Sequence, residues 1–186
     1  MSNQNEDRDI KIFGDEASSS EDEFLSQIEA LNHHRQNGNV AKARQLGKNL
    51  YAFVTDDKHK AEIRDPDFLV GKLFVKTGVL AMFSVEAALN MYLPSTQLST
   101  IAITELHRQL SKTASPVYEK VMESPAFSFY YLNVRKGGDV ATDVGKAFAM
   151  HCRHEGDEKY IAQGKYIYER MVEEVQRQIK EMDFAD

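Results

Sequence analysis

The spacing of apolar residues along this chain predicts helices nearly throughout. In residues 160–182, apolar side chains recur at spacings of one, three and four, from Tyr160 through Ile167 and Met171 to Met182. This is the repeat of a single helix face. Outside the N-terminal residues, no stretch alternates between apolar and polar over five or more positions, as a half-buried strand would. The pattern therefore predicts an all-α protein of antiparallel helical hairpins.

Capping and turn residues divide this pattern into individual helices. Ser20 and Glu23 form a capping box that predicts the start of the first helix, and Gly38 ends it. The apolar stripe of that helix consists of Phe24, Leu25, Ile28 and Leu31. Further starts, each with a capping residue, lie at Asp65, Ser95, Ser115, Ser124, Asp139 and Asp157. The helix that starts at Asp65 is expected to run to about Thr77, where Gly78 permits a turn or a kink before an apolar helix continues to Leu93.

The charge of the chain is concentrated at its N-terminus. Residues 1–24 contain eight acidic and two basic residues, a net of −6, which equals the net charge of the whole chain. The remaining residues 25–186 are neutral, with 21 acidic and 21 basic residues. We therefore expect a flexible acidic tail over residues 1–20 and a single all-helical domain over residues 21–186. A neutral body argues against nucleic acid as a partner, because that binding requires clustered lysine and arginine.

The cysteine content and the hydropathy indicate a soluble cytoplasmic protein. Cys152 is the single cysteine, so no disulfide can form within the chain. The polar, acidic N-terminus does not resemble a secretory signal. The most apolar run, residues 79–93, is shorter than the roughly 20 residues that a membrane span needs. We therefore expect a core helix there and no membrane partner.

The dipeptide Gly-Lys occurs four times inside predicted helices, at Gly47, Gly71, Gly145 and Gly164. Glycine costs a helix roughly 1 kcal/mol relative to alanine, so its recurrence predicts close approach of helix backbones at these positions. None of the four lysines is followed by serine or threonine, which a phosphate-binding loop would need. No cofactor is predicted.

Two segments of the chain resemble tetratricopeptide repeats. Residues 70–78, Val-Gly-Lys-Leu-Phe-Val-Lys-Thr-Gly, are similar to the first helix and turn of such a repeat. Residues 37–43 are similar to another turn, with Ala43 at the family's alanine position. The resemblance implies an array of helical hairpins whose concave groove binds a partner peptide, and it places Lys72 and Lys76 in that groove. An irregular helical bundle with similar turns is the alternative.

A second candidate binding surface combines aromatic and polar residues, namely Tyr130, Tyr131, Asn133 and Arg135. Tyrosine and arginine are common anchors at protein interfaces. The alternative is a core position in which only the hydroxyl reaches water. Together with Lys72 and Lys76, these residues suggest a non-enzymatic interaction or adaptor module that binds a protein or peptide. The chain's own acidic residues 6–23 are one such peptide.

The remaining candidates bear on the alternative functions. His151, Cys152 and His154 are the densest group of possible metal ligands, but a structural or solvated role at a helix end is the leading interpretation. Glu86 lies in the apolar helix, where we expect it on a polar edge with Ser84 and Asn90. An enzyme or a small-ligand-binding bundle would use a pocket near these groups. Self-association through apolar faces is a further possibility.

Overall fold

The computed structural model describes residues 15–56, 71–112, 121, 124–135 and 137–185, without the side chains of residues 15–22, 71 and 72. Seven helices fill most of these ranges: α1 (Asp15–Gln36), α2 (Asn39–Thr55), α3 (Gly71–Tyr92), α4 (Thr96–Lys112), α5 (Ala126–Arg135), α6 (Val140–Cys152) and α7 (Glu158–Met182). These ranges contain no strand. The predicted all-α class is confirmed.

Local sequence signals explain most of the helix ends. Gly38 joins α1 to α2 with a φ of 83°, a left-handed conformation that glycine adopts without steric cost. The Asp139 carboxylate accepts a hydrogen bond from the Thr142 amide at the start of α6. Asp157 accepts one from the Lys159 amide at the start of α7. Both caps stand where the sequence predicts them.

Two predicted boundaries are wrong. The first helix begins at Asp15, not at Ser20, because acidic residues before Ser20 also suit a helix N-terminus. Gly78 lies within α3, which continues from Gly71 to Tyr92 without a turn. The predicted helix starts at Asp65 and Ser115, and residues 1–14 of the expected tail, lie outside the described residues.

Helix α3 is the centre of the described bundle. It packs against α4, α5, α6 and α7, and α7 in turn packs against α6 and α2. Residues 79–85 of α3 are all buried. Within the described ranges, residues 73–92 form the one stretch long and apolar enough to cross a membrane. More than half of that stretch is buried against other helices, as in the core helix of a soluble protein.

Three of the recurring glycines lie where helix backbones meet. A Cβ atom added to Gly47 of α2 would stand 2.5 Å from the Ala102 carbonyl oxygen of α4. One added to Gly164 of α7 would stand 3.0 Å from the Cα atom of Gly145 in α6. Carbon atoms normally approach to about 3.5–4.0 Å, so no larger residue fits without displacement. The packing prediction is confirmed at these three glycines.

Candidate functional site

A groove of 620 Å³ lies between α3 and α5 and is here called the α3–α5 groove. Its apolar lining includes Phe83, Ala87 and Met91 of α3, and Phe127, Tyr131, Leu132 and Val134 of α5. Most of the surface inside it is apolar. This volume lies in the range of about 300–1,000 Å³ that is typical of ligand sites.

Aromatic contacts hold α5 against α3 and so form the groove. The Phe83 ring lies edge-on to Phe127 with centroids 6.1 Å apart, and 5.3 Å from the Tyr130 ring. Such pairs contribute about 0.5–1.5 kcal/mol beyond their buried area. The sequence folds this way because α5 is apolar around most of its circumference. One side of α5 packs on the core, and its remaining apolar side chains are left facing the groove and solvent.

Large apolar side chains stand exposed on both walls of the groove. Met91 of α3 is 49% exposed, and Tyr131 and Leu132 of α5 are 55% and 59% exposed. Single exposed apolar residues are common, but adjoining ones that line a groove indicate a binding surface. Our sequence reasoning missed Met91 and Leu132. The signal that could have found Leu132 is the uninterrupted run 129–132, which places apolar residues on every face of a short helix.

The groove has a polar edge beside α4. The Glu86 carboxylate lies 2.7 Å from Nε2 of His107, and the two side chains are 21% and 28% exposed. Asn90 Oδ1 accepts a hydrogen bond of 2.8 Å from the Ser99 hydroxyl. Glu86 and Asn90 thus lie on a polar edge as expected. Ser84 does not, because it is fully buried and its hydroxyl donates to the Leu80 carbonyl oxygen.

The four predicted interface residues of α5 are divided between the core and the surface. Tyr131 lines the groove, and the Arg135 guanidinium lies 5.8 Å from the centroid of its ring. The Asn133 amide donates to the Phe129 carbonyl oxygen within the helix. Tyr130 is completely buried, so its side chain is not available to a partner in this structure. Burial also raises the pKa of the Tyr130 hydroxyl well above its usual value.

Lys76 makes an internal contact rather than lining the groove. Its ammonium group donates a hydrogen bond of 2.5 Å to the His151 carbonyl oxygen at the C-terminal end of α6. A cation is favourable there, because the last carbonyl groups of a helix carry partial negative charge. The side chain of Lys72 lies outside the described residues. The structure therefore does not bring Lys76 to the groove that contains Tyr131.

The predicted metal candidates are not brought together. His151 Nδ1 lies 3.1 Å from the Tyr130 hydroxyl, whereas the His154 ring stacks on Tyr160 with centroids 3.9 Å apart. Burial, with a contribution from the Lys76 charge, lowers the pKa of His151. Burial raises the pKa of the Cys152 thiol to about 11, so this thiol is protonated at neutral pH and a poor nucleophile. No group of three or more His, Cys, Asp or Glu in the described ranges could hold a metal ion.

Helices α4 and α7 each contain a buried glutamate that accepts hydrogen bonds from an arginine three residues later and a glutamine four residues later. Glu105 accepts hydrogen bonds from the Arg108 guanidinium and the Gln109 amide. Glu174, Arg177 and Gln178 repeat this arrangement in α7. The shared order Glu-x-x-Arg-Gln is visible in the sequence, since residues three and four apart meet on a helix. These clusters satisfy buried charges within single helices and lie outside the α3–α5 groove.

The described residues thus offer an apolar groove between α3 and α5 with the Glu86–His107 pair at its edge, and no group of three His, Cys, Asp or Glu that could hold a metal ion. Comparison of the chain with models of protein families, with curated proteins and with solved structures finds no match.

Proposed function

We propose that this protein is a non-enzymatic interaction module that binds an amphipathic helix of a partner protein in the α3–α5 groove. The observation that carries the proposal is the exposure of Met91, Tyr131 and Leu132 on the two facing walls. Burying such side chains is the main favourable term in association, at about 25 cal/mol per Å² of apolar surface. A helix in a groove is a recurring mode of peptide recognition.

The dimensions of the groove suit a short helix. Helix α5 has ten residues, so its wall is roughly 15 Å long at 1.5 Å per residue. This length corresponds to nearly three turns of a bound helix, enough for apolar anchors at positions i, i+4 and i+7. Arg135 beside Tyr131 provides a cation at one end. We therefore expect the preferred segment to carry an acidic residue next to its apolar face.

A synthetic amphipathic helix with leucine at positions i, i+4 and i+7 and a flanking glutamate tests the proposal. Added to the isotope-labelled full chain, it should shift the amide resonances of residues 127–134. Leu132→Glu should weaken its affinity at least about tenfold, since burying an unpaired charge costs more than the 1.4 kcal/mol that a factor of ten represents. Met150→Glu is the matched control, because Met150 is 45% exposed on α6 and does not line the groove.

Two results would contradict helix binding in this groove. One is a set of shifts that lies away from α3 and α5. The other is an equal loss of affinity in Leu132→Glu and Met150→Glu, which would indicate non-specific hydrophobic contact.

A small apolar ligand is the second candidate occupant. The volume and the predominantly apolar lining of the groove favour it, and Glu86 with His107 supplies a polar edge that could orient such a ligand. The dye anilinonaphthalene sulfonate is a suitable probe. Saturable binding of one dye per chain that Leu132→Glu abolishes, together with no binding of the amphipathic helix, would favour the small-ligand function over the interaction module.

A further inference from the structure

The first helix carries an apolar face that is exposed in the part of the chain that the structure describes. Phe24, Leu25 and Ile28, here called the α1 face, are 63%, 56% and 40% exposed, although the apolar stripe of a helix usually faces a core. Among the described residues, α1 packs mainly on α2, and Gln97 of α4 donates a hydrogen bond to the Gln27 carbonyl oxygen. Gln27, Ala30 and Leu31 of α1 line a cavity together with residues of α2 and α4, so this side of α1 faces the body. The α1 face is consequently rotated toward solvent.

The α1 face continues a regular stripe along the helix. Phe24, Ile28, Leu31 and Arg35 follow one another at spacings of four, three and four. This is the spacing with which one helix packs along another in a coiled coil. Leu31 is partly buried against the body, whereas the turns before it are exposed. Ile28 is therefore the middle of a stripe that a second helix could cover.

Five of the six acidic residues of α1 precede Ile28 and the sixth is Glu29, whereas its single arginine, Arg35, follows Ile28. The N-terminal half contains five acidic residues, at positions 15, 16, 21, 22 and 23. The last turns contain His33, His34 and Arg35. Positions 21–23 and 33–35 lie at equal distances from Ile28 along the helix. A second α1 running antiparallel about Ile28 would place positions 21–23 of each copy beside positions 33–35 of the other, with Glu21 at the level of the partner copy's arginine at position 35.

We propose that two copies of this chain associate by antiparallel pairing of their α1 helices, with Ile28 at the two-fold axis. The α1 faces of the two copies cover one another, and positions 21–23 of each helix face positions 33–35 of the other. Such an interface is isologous, since the same patch serves both copies, and it closes at two subunits. The opposite charges of Glu21 in one copy and Arg35 in the other, repeated at both ends, favour the antiparallel orientation and this register. This association uses a surface other than the α3–α5 groove and does not rest on the proposed function.

Sedimentation of the full chain over a range of concentrations tests the pairing. We expect reversible dimers that dissociate on dilution, because a single pair of helices buries a small interface. Ile28→Glu places two carboxylates face to face at the axis and should raise the dimer dissociation constant at least about tenfold. The urea midpoint of the Ile28→Glu variant should match that of the parent chain, because the Ile28 side chain is exposed in the monomer. Leu132→Glu, a similarly exposed position in the α3–α5 groove, should leave the dimer intact.

Charge reversal tests the orientation independently. Arg35→Glu and Glu21→Arg should each weaken dimerisation, and a chain with both changes should regain it. A monomer at every concentration would overturn the proposal, as would a dimer that Ile28→Glu leaves unchanged. A dimer that Leu132→Glu disrupts while Ile28→Glu does not would place the contact in the α3–α5 groove instead. Failure of the doubly reversed chain to dimerise would overturn the antiparallel register.

Discussion

Gly164→Ala should destabilise the protein even though alanine is the better helix former. A Cβ atom at this position would lie 2.6 Å from Phe148 Cβ and 3.0 Å from Gly145 Cα, against a normal carbon contact of about 3.5–4.0 Å. Both neighbours are at or next to the backbone of α6, so a side-chain rotation cannot relieve the overlap. Helices α6 and α7 would have to separate by about 1 Å, which weakens their other contacts.

The two opposing effects can be compared directly. Overpacking of a well-packed interior costs typically about 1–3 kcal/mol, and this site belongs at the upper end because its neighbours are rigid. The gain in helix propensity is about 1 kcal/mol. The net loss in the free energy of unfolding is therefore about 2 kcal/mol, or roughly 4–8 °C in Tm for a chain of this size. Urea titration followed by circular dichroism measures it as a lower midpoint with an unchanged slope.

Gly78→Ala provides the contrast within the same chain. Its added Cβ would meet a single side-chain atom, Val121 Cγ2, at 3.3 Å. That methyl group can move by a few tenths of an ångström, so the propensity gain should make this variant between neutral and about 1 kcal/mol more stable. If Gly164→Ala matched or exceeded the parent chain in stability, the close approach of α6 and α7 would be refuted as the reason for the glycine.

Three further variants test buried charges. Arg108→Ala should lower the free energy of unfolding, because the Glu105 carboxylate loses its main donor. The hydrogen bond from Arg108 is the main reason that the pKa of Glu105 is lowered to about 2. The parent chain should therefore lose stability as the pH falls from 4.5 to about 2. The urea midpoint of the Arg108→Ala variant should depend less on pH over this range. The pKa of His151 is lowered in the folded chain, so its imidazole binds a proton more readily in the unfolded chain than in the folded one. The free energy of unfolding should therefore fall as the pH drops below 6.5. His151→Gln should flatten that slope, and an unchanged slope would exclude His151 as its cause. Lys76→Met removes the cation from the end of α6 and should lower the Tm through a loss of about 0.3–1 kcal/mol. It should also raise the pKa of His151 in a proton-resonance titration.

The candidate site was only partly predictable from the sequence. Tyr131 and Arg135 were identified because aromatic and cationic residues are common at interfaces, and both lie at the groove or beside it. Tyr130 was grouped with them, yet it is buried beneath the groove. Neighbouring residues on a helix point about 100° apart, so one faces the core when the next faces solvent. Which of the two is exposed depends on where α3 lies, and the sequence of α5 does not contain that information.

The sequence by itself determined the helical class and most of the helix ends. Apolar periodicity, capping aspartates and left-handed glycines act within a few residues. A short stretch of sequence is therefore enough to predict their effect. The recurring helical glycines also predicted close packing, since nothing local favours glycine inside a helix.

Only the tertiary structure decided which faces of those helices became core, groove or free surface. One side of α1 faces residues of α2 and α4, among them Gln97, which lies seventy residues from its hydrogen-bond partner Gln27. Lys76 is occupied by a carbonyl group seventy-five residues away, so it is tied to α6 instead of lining a groove. Such contacts form between side chains that the fold brings together from distant parts of the chain. The periodicity of a helix shows that it has an apolar face, but the arrangement of its neighbours determines what that face contacts.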